Sequence, residues 1–226
     1  MSLPFDLNFE LSIPFERYTQ ALFDTLSMVG VSASIAFLAG IPLAVLLITT
    51  APGGFLASPR IHRVAGSVIN GFRATPFIVL LVALIPFTRL VTGTTIGVWA
   101  AIVPLTISAT PFFARIAEVS LREIEPGLIE AAQAMGCRKW HIVRHVLLPE
   151  ALPGIVGGFT IMLVTLIGAS AMAGAVGAGG LGDLAIRYGY QRFDTQVMVI
   201  VIIVLIALVS LVQFAGDCLV RWLRER

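Results

Sequence analysis

The chain has 226 residues, of which 58% are hydrophobic and 12% charged, with a mean hydropathy of +0.95 and a net charge of +2. Soluble domains carry about 25% charged residues, so this composition excludes an ordinary soluble domain and indicates a membrane protein. The basic residues flank apolar stretches, which is typical of membrane spans and gives no indication of nucleic-acid binding.

Four stretches without charged residues are long enough for a membrane-spanning helix, which needs about 20 apolar residues. A fifth stretch, between Arg73 and Arg89, is shorter, and we expect that span to include flanking residues, so five spans are predicted. The spans cover approximately residues 25–48, 74–91, 96–114, 152–176 and 196–216. We therefore expect an all-α membrane protein with an extracytoplasmic tail over residues 1–24 and a cytoplasmic tail over residues 218–226. Residues 4–13 alternate apolar and polar, which indicates an extended segment within the first tail.

The distribution of arginine and lysine predicts the orientation. An external N-terminus places eleven basic residues inside, Arg73 among them, and four outside. Cytoplasmic flanks carry the excess of basic residues, so we expect the N-terminus outside and the C-terminus in the cytoplasm. Cys137 and Cys218 then lie on the cytoplasmic side, where thiols stay reduced. The glycine-rich segment 177–182 lies outside.

Two features of the third and fourth spans admit more than one interpretation. Pro104 and Pro111 indicate kinked packing, or else a hinge or a kink that lines a solute path. Small residues recur every four positions towards the end of the fourth span, which indicates a close helix–helix or subunit contact, or else a substrate-lining wall. These small residues are Ala171, Ala175 and Gly179, and Ser170, Gly174 and Ala178.

The cytoplasmic loop over about residues 118–150 contains a short predicted helix. Glu125 and Pro126 favour its start, and Gly136 can adopt the left-handed conformation that ends it. Leu128, Ala131, Ala132 and Met135 recur at helical spacing and give a shallow apolar face. Such a face suits the groove of a partner protein, or equally a position on lipid headgroups beside the basic residues that follow.

Two histidines in the same loop, His141 and His145, have the i, i+4 spacing of metal ligands on a helix. No carboxylate or cysteine lies between them, and the surrounding residues are basic. We therefore expect solvated polar positions and no metal site.

The loop also carries a specific spacing: Glu130-Ala131-Ala132, then Gly136 after three residues, then Val146-Leu147-Leu148-Pro149 after nine. This spacing resembles the EAA signature of type I ABC importer permeases. Further strings, covering most of residues 20–220, resemble the permease subunit of bacterial methionine ABC importers. These strings are residues 85–89, 101–106, 148–154, 174–182 and 213–217, with the outer segment through 188–190.

The resemblance implies a permease domain over residues 25–217 in the bacterial inner membrane, and an importer of methionine in the D- and/or L-form. It implies a homodimer of this chain, two copies of a cytosolic ABC ATPase, and an extracytoplasmic methionine-binding lipoprotein. ATP and Mg would be bound by the ATPase, so we expect no cofactor and no catalytic residue in this chain. The protein itself would not be an enzyme.

The resemblance also implies roles for individual residues. Coupling to the ATPase falls to Glu130, Ala131, Ala132, Met135, Gly136, Leu148 and Pro149. Hydroxyl and thioether side chains are compatible with the solute path, namely Ser108, Thr110, Thr160, Met162, Thr165, Ser170 and Met172. Docking of the binding protein falls to Gly177, Gly179, Gly180, Arg187 and Tyr190.

Three other functions are alternatives to a methionine importer. A permease for another amino acid or small solute fits the EAA spacing equally well. An ion-coupled secondary transporter is disfavoured, because such proteins carry ionisable groups within their spans and the predicted span centres have none. A membrane enzyme is disfavoured because the chain has no catalytic triad, and the glycine-rich segment 177–182 lacks the Lys-Ser/Thr of a phosphate loop.

Overall fold

Residues 12–225 are described by a computed structural model and form ten α-helices. The first five are α1 (Phe15–Thr50), α2 (Pro59–Ala74), α3 (Phe77–Ala83), α4 (Ile85–Thr92) and α5 (Val98–Arg122). The other five are α6 (Pro126–Ala134), α7 (Lys139–Ile142), α8 (Leu148–Ala175), α9 (Gly180–Leu184) and α10 (Thr195–Arg224). Two π-helical turns follow α7 and α9, Val143–Leu147 and Ala185–Tyr190. Most of the alternating segment 4–13 lies outside the described residues.

Within the described part of the chain, four helical stretches are long and apolar enough to cross a membrane. They are Phe15–Thr50, Val98–Arg122, Lys139–Ala175 and Thr195–Arg224. The bent pair of α2 and α3 makes a fifth if it is counted as one span. The all-α membrane class is therefore confirmed, with four to five candidate spans, and the orientation stays a prediction.

The first helix begins ten residues before the predicted span, at Phe15. Tyr18 and Ala21 are buried in a cluster with Leu181 and Val197 from the opposite end of the chain. The Thr25 hydroxyl accepts a hydrogen bond from the Leu181 N–H at 2.9 Å. Residues 15–24 are therefore part of the helical body, and the predicted tail over residues 1–24 was too long because its polar residues hid this tertiary packing.

The predicted second span over residues 74–91 is wrong as a single helix. The chain bends by 103° between α2 and α3, at Thr75 and Pro76, and divides again at Leu84 before α4. A proline disfavours helical geometry in the residue before it, and Thr75 is extended at φ −82° and ψ 123°. The segment is therefore a broken helix whose first half, α2, begins well before the predicted boundary.

Helices α1, α5 and α8 form the core. The rings of Phe37, Phe113 and Phe159, one from each helix, meet at centroid distances of 5.2 to 6.0 Å. A Cβ atom on Gly40 of α1 would lie 2.7 Å from the Phe113 ring, so this glycine allows the two helices to approach. Helix α5 continues to Arg122, eight residues past the predicted end of the third span.

The fourth span is the C-terminal part of one helical stretch over Lys139–Ala175. The sequence predicts a separate amphipathic helix that approaches Pro149, followed by a span over residues 152–176. Instead the helix runs through Pro149, which sits in the first turn of α8 and follows the π-helical turn Val143–Leu147. A π-helical turn alters the local hydrogen-bond register, so the missing proline N–H does not stop the helix.

The end of α8 packs closely against α9 within the same chain. A Cβ atom on Gly174 would collide with the Asp183 nitrogen, and one on Gly182 would collide with the Ala171 backbone. The predicted small-residue stripe is therefore a helix–helix contact within one subunit. The stripe does not extend to Ala178 and Gly179, because α8 ends at Ala175.

The last helix, α10, is longer than the predicted fifth span and includes residues 218–224 of the predicted tail. The Asp194 side chain caps its start by accepting a hydrogen bond from the Val197 N–H at 3.1 Å. Along the described length of α10 only Val197 and Val201 are buried. A helix that is apolar all round and mostly unburied faces lipid, as its sequence predicts.

Candidate functional site

A short, sharply bounded helix, α6, follows α5 on the chain. Glu125 takes the N-cap position and Pro126 the first helical position, where the missing proline N–H breaks no hydrogen bond. At the other end Gly136 has a φ of +75°, in the left-handed region that glycine adopts without steric cost. Its N–H donates to the Gln133 carbonyl at 2.9 Å. The predicted start and stop of this helix are confirmed.

The residues of the EAA spacing lie on two sides of α6. Glu130 and Ala131 are exposed, and Met135 is 76% exposed just after the helix. Ala132 is only 3% exposed and packs into the main core of its own subunit. The exposed side is free for a partner, whereas Ala132 cannot contact one directly and instead fixes the helix to the membrane domain.

The two predicted residues at the end of the cytoplasmic loop are partly accessible. Leu148 is half-buried against the main core, and Pro149 is exposed. His141 and His145 are both exposed, with their rings stacked at a centroid distance of 5.8 Å. Among residues 12–225 no group of three potential metal ligands comes together, so the two rings have no third ligand there.

A cavity of about 270 Å³ beside α6 was not predicted. It lies between α6 and the loop that connects α1 to α2. Its apolar lining includes Phe55, Leu121, Ile124 and Ile129, and Arg122 and Gln133 contribute polar atoms. The return of this loop to α6 depends on tertiary contacts that no local pattern encodes.

A buried carboxylate at the end of α5 was also missed. The Glu118 side chain is 1% exposed and accepts hydrogen bonds from Arg115 at 2.6 Å and Arg122 at 2.5 Å. Both arginines lie on the same helix, at the i, i+3 and i, i+4 spacing that brings side chains together. This spacing was present in the sequence, but the predicted span ended at residue 114 and placed Glu118 in the loop.

Replacement of Glu118 tests the contribution of this cluster. Glu118→Ala leaves Arg115 and Arg122 without their partner, and we expect a loss of about 1–2 kcal/mol in the free energy of unfolding, because both arginines are partly solvent-screened. Thermal unfolding of the purified chain in detergent measures the change. Glu123 is exposed beside the end of α5. Glu123→Ala should therefore stay within about 0.5 kcal/mol of the original chain. Equal stability of the two variants would contradict the prediction.

Three of the predicted path residues come together at one cavity. Ser108, Met162 and Thr165 line a space of about 90 Å³ between α5, α8 and the end of α2. Arg73 and Thr75 of the broken helix complete its polar lining. Phe72, Phe112, Leu166 and Ala169 supply apolar surface. The contribution of α2 was not predicted, because the sequence placed Arg73 at a cytoplasmic flank.

The other four predicted path residues lie elsewhere. The Thr110, Thr160 and Ser170 hydroxyls donate to carbonyls within their own helices. A Cβ atom on Gly216 of α10 would lie within 2.8 Å of several Thr160 side-chain atoms, so Thr160 faces α10. Met172 is 51% exposed and lies outside the cavity lining. Hydroxyl or thioether chemistry alone did not separate path residues from helix-packing residues.

The predicted docking residues divide into a buried set and an exposed set. Gly180 is buried, and a Cβ atom there would lie 2.7 Å from the Thr25 hydroxyl oxygen. Gly177 and Gly179 are half-buried, and all three glycines have positive φ, so the glycines shape the turn between α8 and α9. Arg187 and Tyr190 are exposed, and Tyr190 is 66% accessible.

An open cavity of about 440 Å³ adjoins these predicted docking residues. Arg17 donates to the Tyr188 hydroxyl at 3.0 Å, and Arg187 pairs with Asp183 at 2.9 Å. Both pairs line the cavity together with Asp24. Exposed charges of both signs and tyrosines suit a protein–protein contact of polar character.

The chain belongs to the family of binding-protein-dependent transport system inner membrane components, which matches residues 36–226. Relatives include the probable D-methionine transport system permease protein MetI of Vibrio cholerae, 52% identical over 206 residues, or 91% of this chain and 92% of that protein. The D-methionine transport system permease protein MetI of Escherichia coli K12 is 52% identical over 155 residues, or 69% of this chain and 71% of that protein.

Solved structures agree with this assignment. The inward-facing MetNI methionine ABC transporter contains a chain that is 50% identical, with a TM-score of 0.92, over 94% of this chain and 99% of that chain. An amino acid ABC transporter crystallised with histidines is 20% identical with a TM-score of 0.75, and shows the same fold. The family resemblance drawn from the EAA spacing is confirmed.

Proposed function

We propose that this chain is the permease subunit of an ATP-driven methionine importer. The likeness to the MetNI permease chain over nearly the whole length of both proteins carries this proposal. The solute named for the relatives is D-methionine. The permease domain covers residues 25–217, and its first and last helices extend beyond these bounds to Phe15 and Arg224. The protein has no ATPase activity of its own because nucleotide hydrolysis belongs to a separate subunit.

Helix α6 is the element through which the ATPase acts. Glu130, Ala131 and Met135 present an exposed surface to a groove of the ATPase. ATP and Mg are bound elsewhere in that ATPase subunit. Ala132 fastens the opposite side of α6 to the core of the membrane domain. A displacement of the ATPase therefore moves the membrane helices with α6, which is the rigid-body type of switching.

The solute path lies between two copies of the chain. The cavity at Ser108, Met162 and Thr165 measures about 90 Å³. This volume is well below the size of roughly 300 Å³ at which small-molecule sites begin. One copy therefore supplies only part of the wall, and a second copy completes it. We place the binding lipoprotein at the outer surface formed by Arg187, Tyr190 and the turn over 177–182, and the ATPase pair on the opposite side.

Purification from the native membrane tests the proposal. We expect a tagged chain to retain an ATPase subunit whose hydrolysis rises several-fold when binding protein and methionine are added together. Stimulation by a different amino acid alone would refute methionine as the solute and retain an importer of another solute. A chain that purifies without an ATPase and transports on an ion gradient would refute both statements.

The two native cysteines test the proposed orientation. Cys137 is exposed just after α6, and Cys218 is half-buried in α10. In intact spheroplasts a membrane-impermeant maleimide should leave Cys137 unlabelled, and it should label Cys137 once the cells are permeabilised. Labelling in intact spheroplasts would place α6 on the outer side and exclude contact with a cytosolic ATPase.

A further inference from the structure

Arg73 occupies an unexpected position at the break between α2 and α3. It lies at the end of α2, two residues before Thr75, and its side chain lines the cavity formed with Ser108, Met162 and Thr165. The sequence places Arg73 at a cytoplasmic flank, beside headgroups that would neutralise it. The packing instead places it against α5 and α8 of the membrane domain.

The depth of this cavity follows from the positions of Ser108 and Met162 along their helices. Helix α5 runs over Val98–Arg122 and helix α8 over Leu148–Ala175. From the rise per residue of an α-helix, Ser108 lies roughly 15 Å from the start of α5 and roughly 21 Å from its end. Met162 lies roughly 21 Å from the start of α8 and roughly 20 Å from its end. A bilayer core is about 30 Å thick, so a cavity midway along two spanning helices lies near its middle, and Arg73 lines that cavity.

In the part of the chain that the structure describes, no acidic side chain pairs with the Arg73 guanidinium. It takes part in none of the ion pairs formed by residues 12–225, and no residue that lines the cavity is acidic. The side chain is exposed on the single subunit. A charged group at this depth is costly and faces a cavity or a partner of opposite charge, so its presence indicates a functional site.

The surrounding chemistry indicates which anion is bound. Ser108, Thr75 and Thr165 line the same cavity as Arg73, and their hydroxyl oxygens can accept hydrogen bonds from an ammonium group. Phe72 and Phe112 provide rings, and Met162 a polarisable thioether, all suited to an apolar side chain. Arginine binds a carboxylate with two parallel hydrogen bonds. Broken helices at mid-membrane are where transporters commonly bind their solute.

We propose that Arg73 binds the carboxylate of the amino-acid solute halfway across the membrane, with the solute side chain against Met162 and the aromatic rings. This inference rests on the proposed function, since it names the recognition group of the same path. Arg73 is then the residue that makes the path selective for amino acids over their uncharged or cationic derivatives.

Uptake by the complete transporter tests the proposal. The permease, its ATPase and its binding protein are reconstituted in proteoliposomes with the original chain, Arg73→Gln, Arg73→Lys or Arg63→Gln. We expect Arg73→Gln to lower the initial rate of methionine uptake at least tenfold, because charged hydrogen bonds are lost. Arg73→Lys should keep an intermediate rate. Arg63→Gln removes an exposed charge from the same helix and should stay within twofold of the original chain.

Solute contact is measured directly by alkylation of Thr165→Cys in a Cys137→Ser, Cys218→Ser background. Methionine should slow alkylation when Arg73 is present and should not slow it in the Arg73→Gln variant. Absence of uptake by the original chain refutes the proposed function itself. Uptake by the original chain with an equal rate in Arg73→Gln, or with no protection by methionine, refutes only the role of Arg73. Dissociation of the Arg73→Gln dimer during gel filtration also refutes it, because Arg73 would then hold the subunits together.

Discussion

Gly136→Pro is expected to lower methionine uptake at least tenfold while the chain still inserts and folds in the membrane. Gly136 has a φ of +75°, and its N–H donates to the Gln133 carbonyl. Proline cannot adopt this conformation, because its ring restricts φ to negative values, and it has no N–H to donate. The end of α6 must therefore rearrange, and Glu130, Ala131 and Met135 lose their common orientation. Uptake into proteoliposomes and stimulated ATP hydrolysis measure the effect.

Gly136→Asn is the matched control for this loss. Asparagine tolerates the left-handed conformation, and no atom lies within 4 Å of a Cβ built at position 136. The asparagine variant should retain at least half of the original uptake. If Gly136→Pro transports at the original rate, the conformation of this cap has no part in coupling; if both variants fail equally, the surface at position 136 matters and its φ does not.

Gly174→Leu is expected to destabilise the membrane domain by about 3 kcal/mol or more. A Cβ at this position would collide with the Asp183 nitrogen and lie 2.8 Å from the Gly182 carbonyl carbon. Both are backbone atoms, so no change of rotamer relieves the clash and α9 must move away from α8. Thermal unfolding of the purified chain in detergent measures the loss, and a fall in the yield of monodisperse protein should accompany it.

The same helix offers a control at Gly168. This residue is exposed, and a Cβ there would meet nothing within 4 Å. Gly168→Leu should therefore unfold at nearly the original temperature or slightly above it, since it removes a helix-interior glycine. Equal stability of Gly174→Leu and Gly168→Leu would show that the C-terminal end of α8 accommodates the larger side chain. The contact with α9 would then contribute little to the free energy of unfolding.

Local signals in the sequence were sufficient to predict helix α6. Glu125, Pro126 and Gly136 act within a few residues of their own backbone, so their effect on the chain does not depend on the rest of the fold. Charge-free stretches likewise predicted the long helices, because the bilayer requires them of any span. The predicted ends of the first and third spans were wrong where the helices continue through buried polar residues, at Tyr18 in α1 and Glu118 in α5.

The site residues were predictable only in part, because helical spacing does not reveal which neighbour a face meets. Helical periodicity places Leu128, Ala131 and Ala132 on one face of α6. In the structure Ala132 is buried in the core, whereas Leu128 and Ala131 are exposed. The position of Arg73 beside α5 and α8 was not predicted, for a related reason. The span was predicted to begin near residue 74, so no local pattern indicated that the end of α2 lines a cavity with these two helices.

The unbroken helical stretch over Lys139–Ala175 has a mechanical consequence. It begins three residues after Gly136 and ends where Gly174 contacts α9. By helical rise its length is about 55 Å. A tilt of only about 5° at the cytoplasmic end moves the far end of such a rod by about 5 Å. A small rotation at one end of this helical stretch thus becomes a displacement of several ångströms at the other end. Under the proposed function, a movement at the end near α6 therefore reaches the opposite end of this stretch, near the proposed docking residues Arg187 and Tyr190, without a chain of intermediate contacts.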